Sequence, residues 1–463
     1  MRRLALLLVV ALVGACGTNM SRAQIRAAAG LSSASSAKSA GAAESAAGGD
    51  SAATSGADQL SDSTAGATGQ SVGAAPTAGT ATPTATKRAT ASNCPAPCAP
   101  LVIGSVGTWS GLPGQNVVGG LDALRAWVAA TNAKGGLAGH QIKLEVADDG
   151  SDPSRHRALV QEFVEQRGVV AFVYNAAVFS GFASVDYLQQ KRVPVVGGAG
   201  TDPWYTTSSM FFTQVIAGDV AIEATSASYA RSAKAMGMKR AGLVTCSDGV
   251  QVCQDTARKA PGYLQKYGME LAYNGQASLA TPDFTSNCLA ARNAGVELLY
   301  LALDGNSYQR FGRSCASIGY HPKFGIAQPV MLDEVATDPN MQGSPGVSYT
   351  FPFFLNTTPA IADFQRTMAQ WAPRTKLTGS AILGWSAAKL LEVAATHLSA
   401  QPKSSDILEG LWALNGNDLG GLTAPLKFNR EKPTVPPVCY WQVVVTAQQF
   451  RSPDGGTRHC EGG

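Results

Sequence analysis

Residues 103–115 read IGSVGTWSGLPGQ, an apolar run that breaks into a loop setting Thr108, Trp109 and Ser110 among glycines at 104, 107, 111 and 114. Glycines in such a turn let backbone N–H groups approach a ligand closely, and two hydroxyls beside one aromatic ring suit a small organic molecule. The spacing is neither that of a phosphate loop, G-x-x-x-x-G-K-[ST], nor that of a dinucleotide fingerprint, G-x-G-x-x-G. A tight turn with no ligand fits the same residues equally well. GQSVG at 69–73 has the letters of a serine-hydrolase elbow, but that motif needs a strand before it and a helix after it, and the surrounding Ala/Ser/Gly/Thr sequence supplies neither. Hydrolysis would also need a histidine beside the serine, and the five histidines, at 140, 156, 321, 397 and 459, fall outside the strand-end loops that would form a cleft. They lack metal-ligand spacing and no C-x-x-C occurs, so no metal, no cofactor and no enzyme activity are expected.

The elements that must position such a loop begin after a long leader. MRRLALLLVVALVGAC opens with two arginines and an apolar run, Leu4 to Val13, too short for a bilayer span of about 20 residues, and so reads as an export signal over residues 1–15. Val13-Gly14-Ala15-Cys16 looks like a lipobox, with Cys16 the residue to be acylated and held on the outer face of a membrane. Residues 16–93, dominated by Ala, Ser, Gly and Thr and lacking aromatics, cannot bury enough apolar surface to offset their ordering entropy. They are expected to be a disordered tether with a reach of roughly 45–50 Å. Nine cysteines less Cys16 leave an even number, which in an oxidising compartment suggests disulfides. Cys94 with Cys98 and Cys246 with Cys253 are close enough for local loops; Cys288 with Cys315 and Cys439 with Cys460 is one of the pairings left to the others. A net charge of +4 gives no basic field for nucleic acid.

From about residue 99 to 450, continuous apolar runs of strand length alternate with helical patterns. The runs are VVAFVY at 169–174, VPVVG at 193–197, AGLVT at 241–245 and VELLYLAL at 296–303. Helix starts are marked by Asp152-Pro153, Thr281-Pro282 and Thr358-Pro359, a capping side chain followed by proline at the first helical position. Buried parallel strands alternating with helices imply an α/β fold, and some 350 residues are more than one such core needs, so two lobes are expected.

The stretch LVIGSVGTWSGLPGQNVVGGLDALRAWVAATNAKGGLAGHQIKLEVADDGSDPSR resembles the opening of the leucine/isoleucine/valine-type periplasmic binding proteins, solute-binding components of ABC importers. The likeness continues through VPVVGGAGTDPWYT, SAILGWSAAKLLEVAATHL and GGLTAPLKF. It implies two doubly wound Rossmann-like lobes joined by three hinge crossings, near 212–215, 347–351 and 422–428. The lobes would comprise residues 94–215 plus 348–424 and residues 216–347 plus 425–463, closing on a ligand as a monomer. On this resemblance Trp109 and Ser110 face the cleft, although Trp109 could instead pack on its own lobe. Ala199 and Thr201 of GGAGT would hold a carboxylate through backbone and hydroxyl, Thr201 serving equally as a cap. Ser180 matches a further ligand serine if VFSG aligns by its Ser-Gly; otherwise Val178 falls there.

In the second lobe the pattern departs. The family's aromatic is replaced by the loop CSDGVQVC, which offers Asp248, with Val250 near the aromatic's position. Asp304 and Asn306 follow LYLAL, Asp304 meeting an ammonium group or capping the next helix. Gln328 stands near the family's acidic amine-binding position, which leaves a ligand amine in doubt. The resemblance implies capture of an amino acid, amide or organic acid for an ABC permease and ATPase. A ligand-sensing receptor subunit on the same fold is the alternative.

Overall fold

The computed structural model describes residues 98–462 except Thr201. The expected signal, Cys16, the tether and Cys94 lie outside the described residues, as does Thr201. The strands are β1 (Leu101–Gly107), β2 (Ile142–Asp148), β3 (Ala171–Val173), β4 (Val195–Val196), β5 (Phe211–Phe212), β6 (Arg240–Cys246), β7 (Glu270–Ala277), β8 (Leu298–Ala302), β9 (Lys323–Ala327) and β10 (Pro345–Ser348). After a helical stretch follow β11 (Asn415–Asn417), β12 (Leu426–Lys427), β13 (Cys439–Thr446), β14 (Gln449–Arg451) and β15 (Arg458–Cys460).

One sheet is wholly parallel in the order β2-β1-β3-β4-β5. The other repeats that order as β7-β6-β8-β9-β10, then adds antiparallel β13, which pairs with both β14 and β15. Sequence explains which strands are central: β6, RAGLVTC, is buried beyond its first residue, whereas edge strand β7, ELAYNGQA, spreads Glu270, Asn274 and Gln276 along a half-exposed ribbon. Each sheet therefore has a switch point, between β1 and β3 and between β6 and β8, where crossovers leave in opposite directions and open a crevice at the strands' carboxyl ends.

The expected strands appear slightly trimmed, and the caps are borne out at two of three helix starts. Asp152 accepts from the Arg155 N–H at the head of helix Pro153–Glu165, and Thr358 from the Ile361 N–H at helix Pro359–Trp371. At Thr281-Pro282 the helix starts later, at Thr285, because Asp283 takes the Thr285 N–H while Phe284 is buried against Phe311. Disulfides join Cys246 to Cys253, Cys288 to Cys315, and Cys439 on β13 to Cys460 on β15; Cys98 is disulfide-bonded as well. Among the described residues no helix is long and apolar enough to cross a membrane.

The chain leaves the first sheet after β5 and returns from β10, after which helix Gly379–Ala394, buried along almost its whole length, packs on helix Val118–Ala133. Along the expected last passage, 422–428, Leu422 accepts from the Phe351 N–H and Thr423 from Arg458 of β15. Phe428 still packs edge to face on Phe212, and Arg430 and Glu431 pair with Glu409 and Arg192 beside the first sheet. Only at Cys439 does the chain enter the second sheet.

Candidate functional site

The carboxyl ends of the two sheets share a cavity of about 390 Å³. Its wall on the first sheet comes from the loops after β1, β3 and β4, through Thr108, Val117, Phe179 and Ala199. Opposite stand Tyr300 of β8 and residues following β6, β9 and β10, among them Val250, Val330 and Tyr349, with Ile222 and Thr225 from helix Gly218–Ala235. Such a volume, walled mainly by apolar groups with a few polar ones, suits a small organic molecule.

The glycine loop after β1 is held by the pair of aspartates that ends β2. Asp148 accepts from the Trp109 N–H at 2.9 Å and from the Ser110 hydroxyl. Burial would raise its pKa, yet the Ser110 hydroxyl and the N–H groups of Trp109 and Gly150 carry it below the ordinary carboxylate value. Asp149 is fully buried: Oδ1 accepts from the Thr108 hydroxyl at 2.8 Å and the Ser151 N–H at 2.8 Å, Oδ2 from the Ser180 hydroxyl at 2.7 Å, and His156 Nδ1 lies 2.9 Å from Oδ2. Here too burial is outweighed, by His156 first and then by the hydroxyls and N–H, and the pKa is lowered. Four groups from four segments converge on this carboxylate, which fixes the Thr108 side of the cavity.

Trp109 packs on its own lobe. Its ring stacks on Tyr174 with centroids 6.1 Å apart, and it is not part of the cavity wall. Gly107 makes room for that ring, since a Cβ there would stand 2.7 Å from it. Ser110 is exposed and spent on Asp148. Ser180 is likewise taken from the cavity by Asp149, whereas Val178, the residue that the ungapped alignment put in its place, does line it.

Gln328 also departs from its expected place. It sits at the second crossing, where its Oε1 accepts from the Ser348 hydroxyl at 3.0 Å, the Thr350 N–H at 3.0 Å and the Tyr349 N–H, while Nε2 donates to Thr350 Oγ1 and the Gly379 carbonyl. Every hydrogen-bonding atom of the amide is engaged, which leaves none for a ligand. Gln214 does the same at the first crossing, donating to the carbonyls of Gly198 and Leu383 and accepting from the Gly198 N–H. Both glutamines thereby tie a crossing to helix Gly379–Ala394.

Ala199, Asp248 and Asp304 do line the cavity. Asp248 accepts from the Ser278 hydroxyl at 2.8 Å and the Leu279 N–H at 2.9 Å, and Asp304 caps helix Gly305–Ser317 through the Ser307 N–H, the capping alternative of the sequence reading. Asn306 stands at the rim, donating across the cleft to Gln115 at 3.2 Å. Sequence reasoning missed the hydroxyls of Thr225, Thr256, Tyr300 and Tyr349. They lie inside stretches that read as helix or as apolar strand, and nothing local marks them as a group.

Comparison with known proteins agrees with this architecture. Solved structures superpose over most of the described chain. A possible leucine/isoleucine/valine-binding protein from Rhodopirellula baltica SH 1 matches at TM-score 0.67 and 16% identity, covering 78% of this chain and 98% of its own. An ABC transporter solute-binding protein from R. palustris, in complex with benzoate, matches at 0.63 and 15%, covering 78% and 98%. A fatty acid ABC transporter substrate-binding protein from Thermomonospora curvata matches at 0.64 and 14%, covering 78% and 91%. None of the curated proteins searched matches the sequence. The family model described as periplasmic binding protein matches residues 100–449, from the start of one sheet to the antiparallel edge of the other, and the chain belongs to that family.

Proposed function

We propose that this protein is an extracytoplasmic lipoprotein that captures a small organic molecule between its two sheets and presents it to the permease and ATPase of an ABC importer. Membership of a solute-binding family carries the extracytoplasmic, non-enzymatic part of this reading. The lipobox ending at Cys16 supports the anchor, the low-complexity stretch after it a tether, and the resemblance to the solute-binding family a monomer. The observation that carries capture is the cavity itself: both sheets contribute their strand ends to it, so rotation about the crossings opens or closes it.

Neighbours of the same fold carry names or ligands ranging from branched-chain amino acids through benzoate to fatty acid, so the fold leaves the ligand class open. Of the classes read from the sequence, the free amino acid fits this lining least, because Gln328 is occupied and Asp304 caps a helix. Transport is tested by uptake. A strain lacking the protein should lose import of the compound that raises its melting temperature, wild type should restore it, and Cys16→Ser should restore it poorly. Undiminished import without the protein would refute delivery to an importer.

A further inference from the structure

We infer that the ligand is an uncharged, largely hydrocarbon molecule with a single hydrogen-bonding head, and that the head docks on a floor of four hydroxyls, those of Thr225, Thr256, Tyr300 and Tyr349. This rests on the reading of the cavity as the solute site.

The hydroxyls come from four elements and all line the cavity. Thr225 Oγ1 and the Tyr349 hydroxyl lie 3.2 Å apart, Thr256 donates to the Val252 carbonyl at 2.8 Å, and the Tyr300 hydroxyl stands beside both threonines. All four residues are buried. Burial pushes the Tyr349 hydroxyl up to about 12 and Tyr300 higher still, so the floor is neutral at any physiological pH. Hydroxyls both donate and accept, and a neutral cluster of them matches an alcohol, ketone, ester or amide.

Charge on the rest of the wall argues against ions. Among the described residues no lysine, arginine or histidine lines the cavity, and its two carboxylates are committed, Asp248 to Ser278 and Leu279, Asp304 to its helix with Arg310 at 3.9 Å behind it. That guanidinium is itself spent on the Leu279 carbonyl and the Ser307 hydroxyl. A ligand carboxylate would be buried with no cation beside it and two aspartates nearby, and a zwitterion would bring the same unpaired charge. The remaining wall, including Val117, Phe179, Ile222, Val250 and Val330 with the Cys246–Cys253 disulfide, is mainly hydrocarbon and sulfur, its other polar side chains being the Asn116 amide, Thr108, given to Asp149, and Tyr308, given to the Leu301 and Gly325 carbonyls.

The test uses the mature chain carrying Cys16→Ser, titrated with decanol, decanoate, decylammonium and leucine while displacement of the neutral dye Nile red and the melting temperature are read. Decanol is expected to bind at least about tenfold more tightly than either decyl ion, and leucine to leave both signals unmoved. In Thr225→Val and in Tyr349→Phe, decanol affinity should fall about tenfold while the melting temperature without ligand stays near wild type. Unchanged decanol affinity in both variants overturns the hydroxyl floor. Binding of leucine or decanoate in preference to decanol overturns the inference and leaves solute capture standing; no binding by any of the four overturns both.

Discussion

At the scale of single residues, the two best-connected polar side chains of the site hold its walls and leave the ligand to others. Gln328 reads from sequence as a ligand group because it stands near an acidic position of the family, but the structure spends it on the hinge. Nothing in QPV announces this, since the partners Ser348, Thr350 and Gly379 are brought to it only by the second crossing. Gln328→Ala should strand several buried groups and lower stability by about 2 kcal/mol in denaturant unfolding; an unchanged midpoint would mean the hinge is held by other contacts. Asp149 was half legible. DD-x-SDP marks a turn, but the convergence of Thr108, Ser180 and His156 on one carboxylate depends on two separate loops and the helix that follows the turn. Its folded pKa lies below the unfolded reference of 3.8, so it contributes stability that is complete at neutral pH and is lost as pH falls below that reference through the folded value. Asp149→Asn should therefore flatten the acid limb of a stability-against-pH curve below the unfolded reference of 3.8; an unaltered limb would assign acid sensitivity elsewhere.

Among the elements, those with continuous burial were the ones sequence revealed. The strand segments AGLV and LLYLA are apolar because both faces are covered, and they need no partner to be read. GGLTAPLKF carries no sequence signal for which sheet it serves: Leu422 accepts from the Phe351 N–H and Thr423 from Arg458, while Phe428 packs on Phe212. The Cys246–Cys253 bridge closes the loop that carries Asp248 and Val250 onto the cavity. Replacing both cysteines with serine should cost about 2.5 kcal/mol by the loop-closure relation for so short a loop and weaken ligand binding as the wall loosens. Equal affinity in the replaced and native proteins would show that the loop is held without it. At the rim, Asn306 and Gln115 link the two walls through one exposed hydrogen bond. Asn306→Ala should raise the ligand's dissociation rate severalfold with little change in association, measured by stopped-flow displacement; an unaltered rate would remove the latch.

For the whole molecule, the order of strands is repeated in both sheets, and that repetition places two sets of loops face to face. Alternating strands and helices made an α/β fold readable from sequence, and the resemblance supplied the pairing of lobes. The interior chemistry of the cleft was not readable, because its hydroxyls are distributed over four elements whose local sequences look like ordinary core. The proposed anchor is tested at the other end of the chain: Cys16→Ser should move the protein from the membrane fraction to the soluble one, and continued dependence on detergent would contradict acylation at that residue.

The central claim is that one cavity between the sheets captures the ligand. A thermal-shift screen addresses it most directly, run on wild type and on Ala221→Trp, which fills the cavity from helix Gly218–Ala235. Amino acids, amides, organic acids and neutral apolar compounds are compared. One class should raise the melting temperature of wild type and leave the filled variant unmoved, because only a ligand bound to the native cavity stabilises it. A shift that survives Ala221→Trp in a folded protein, or no shift with any class, would contradict capture at this site.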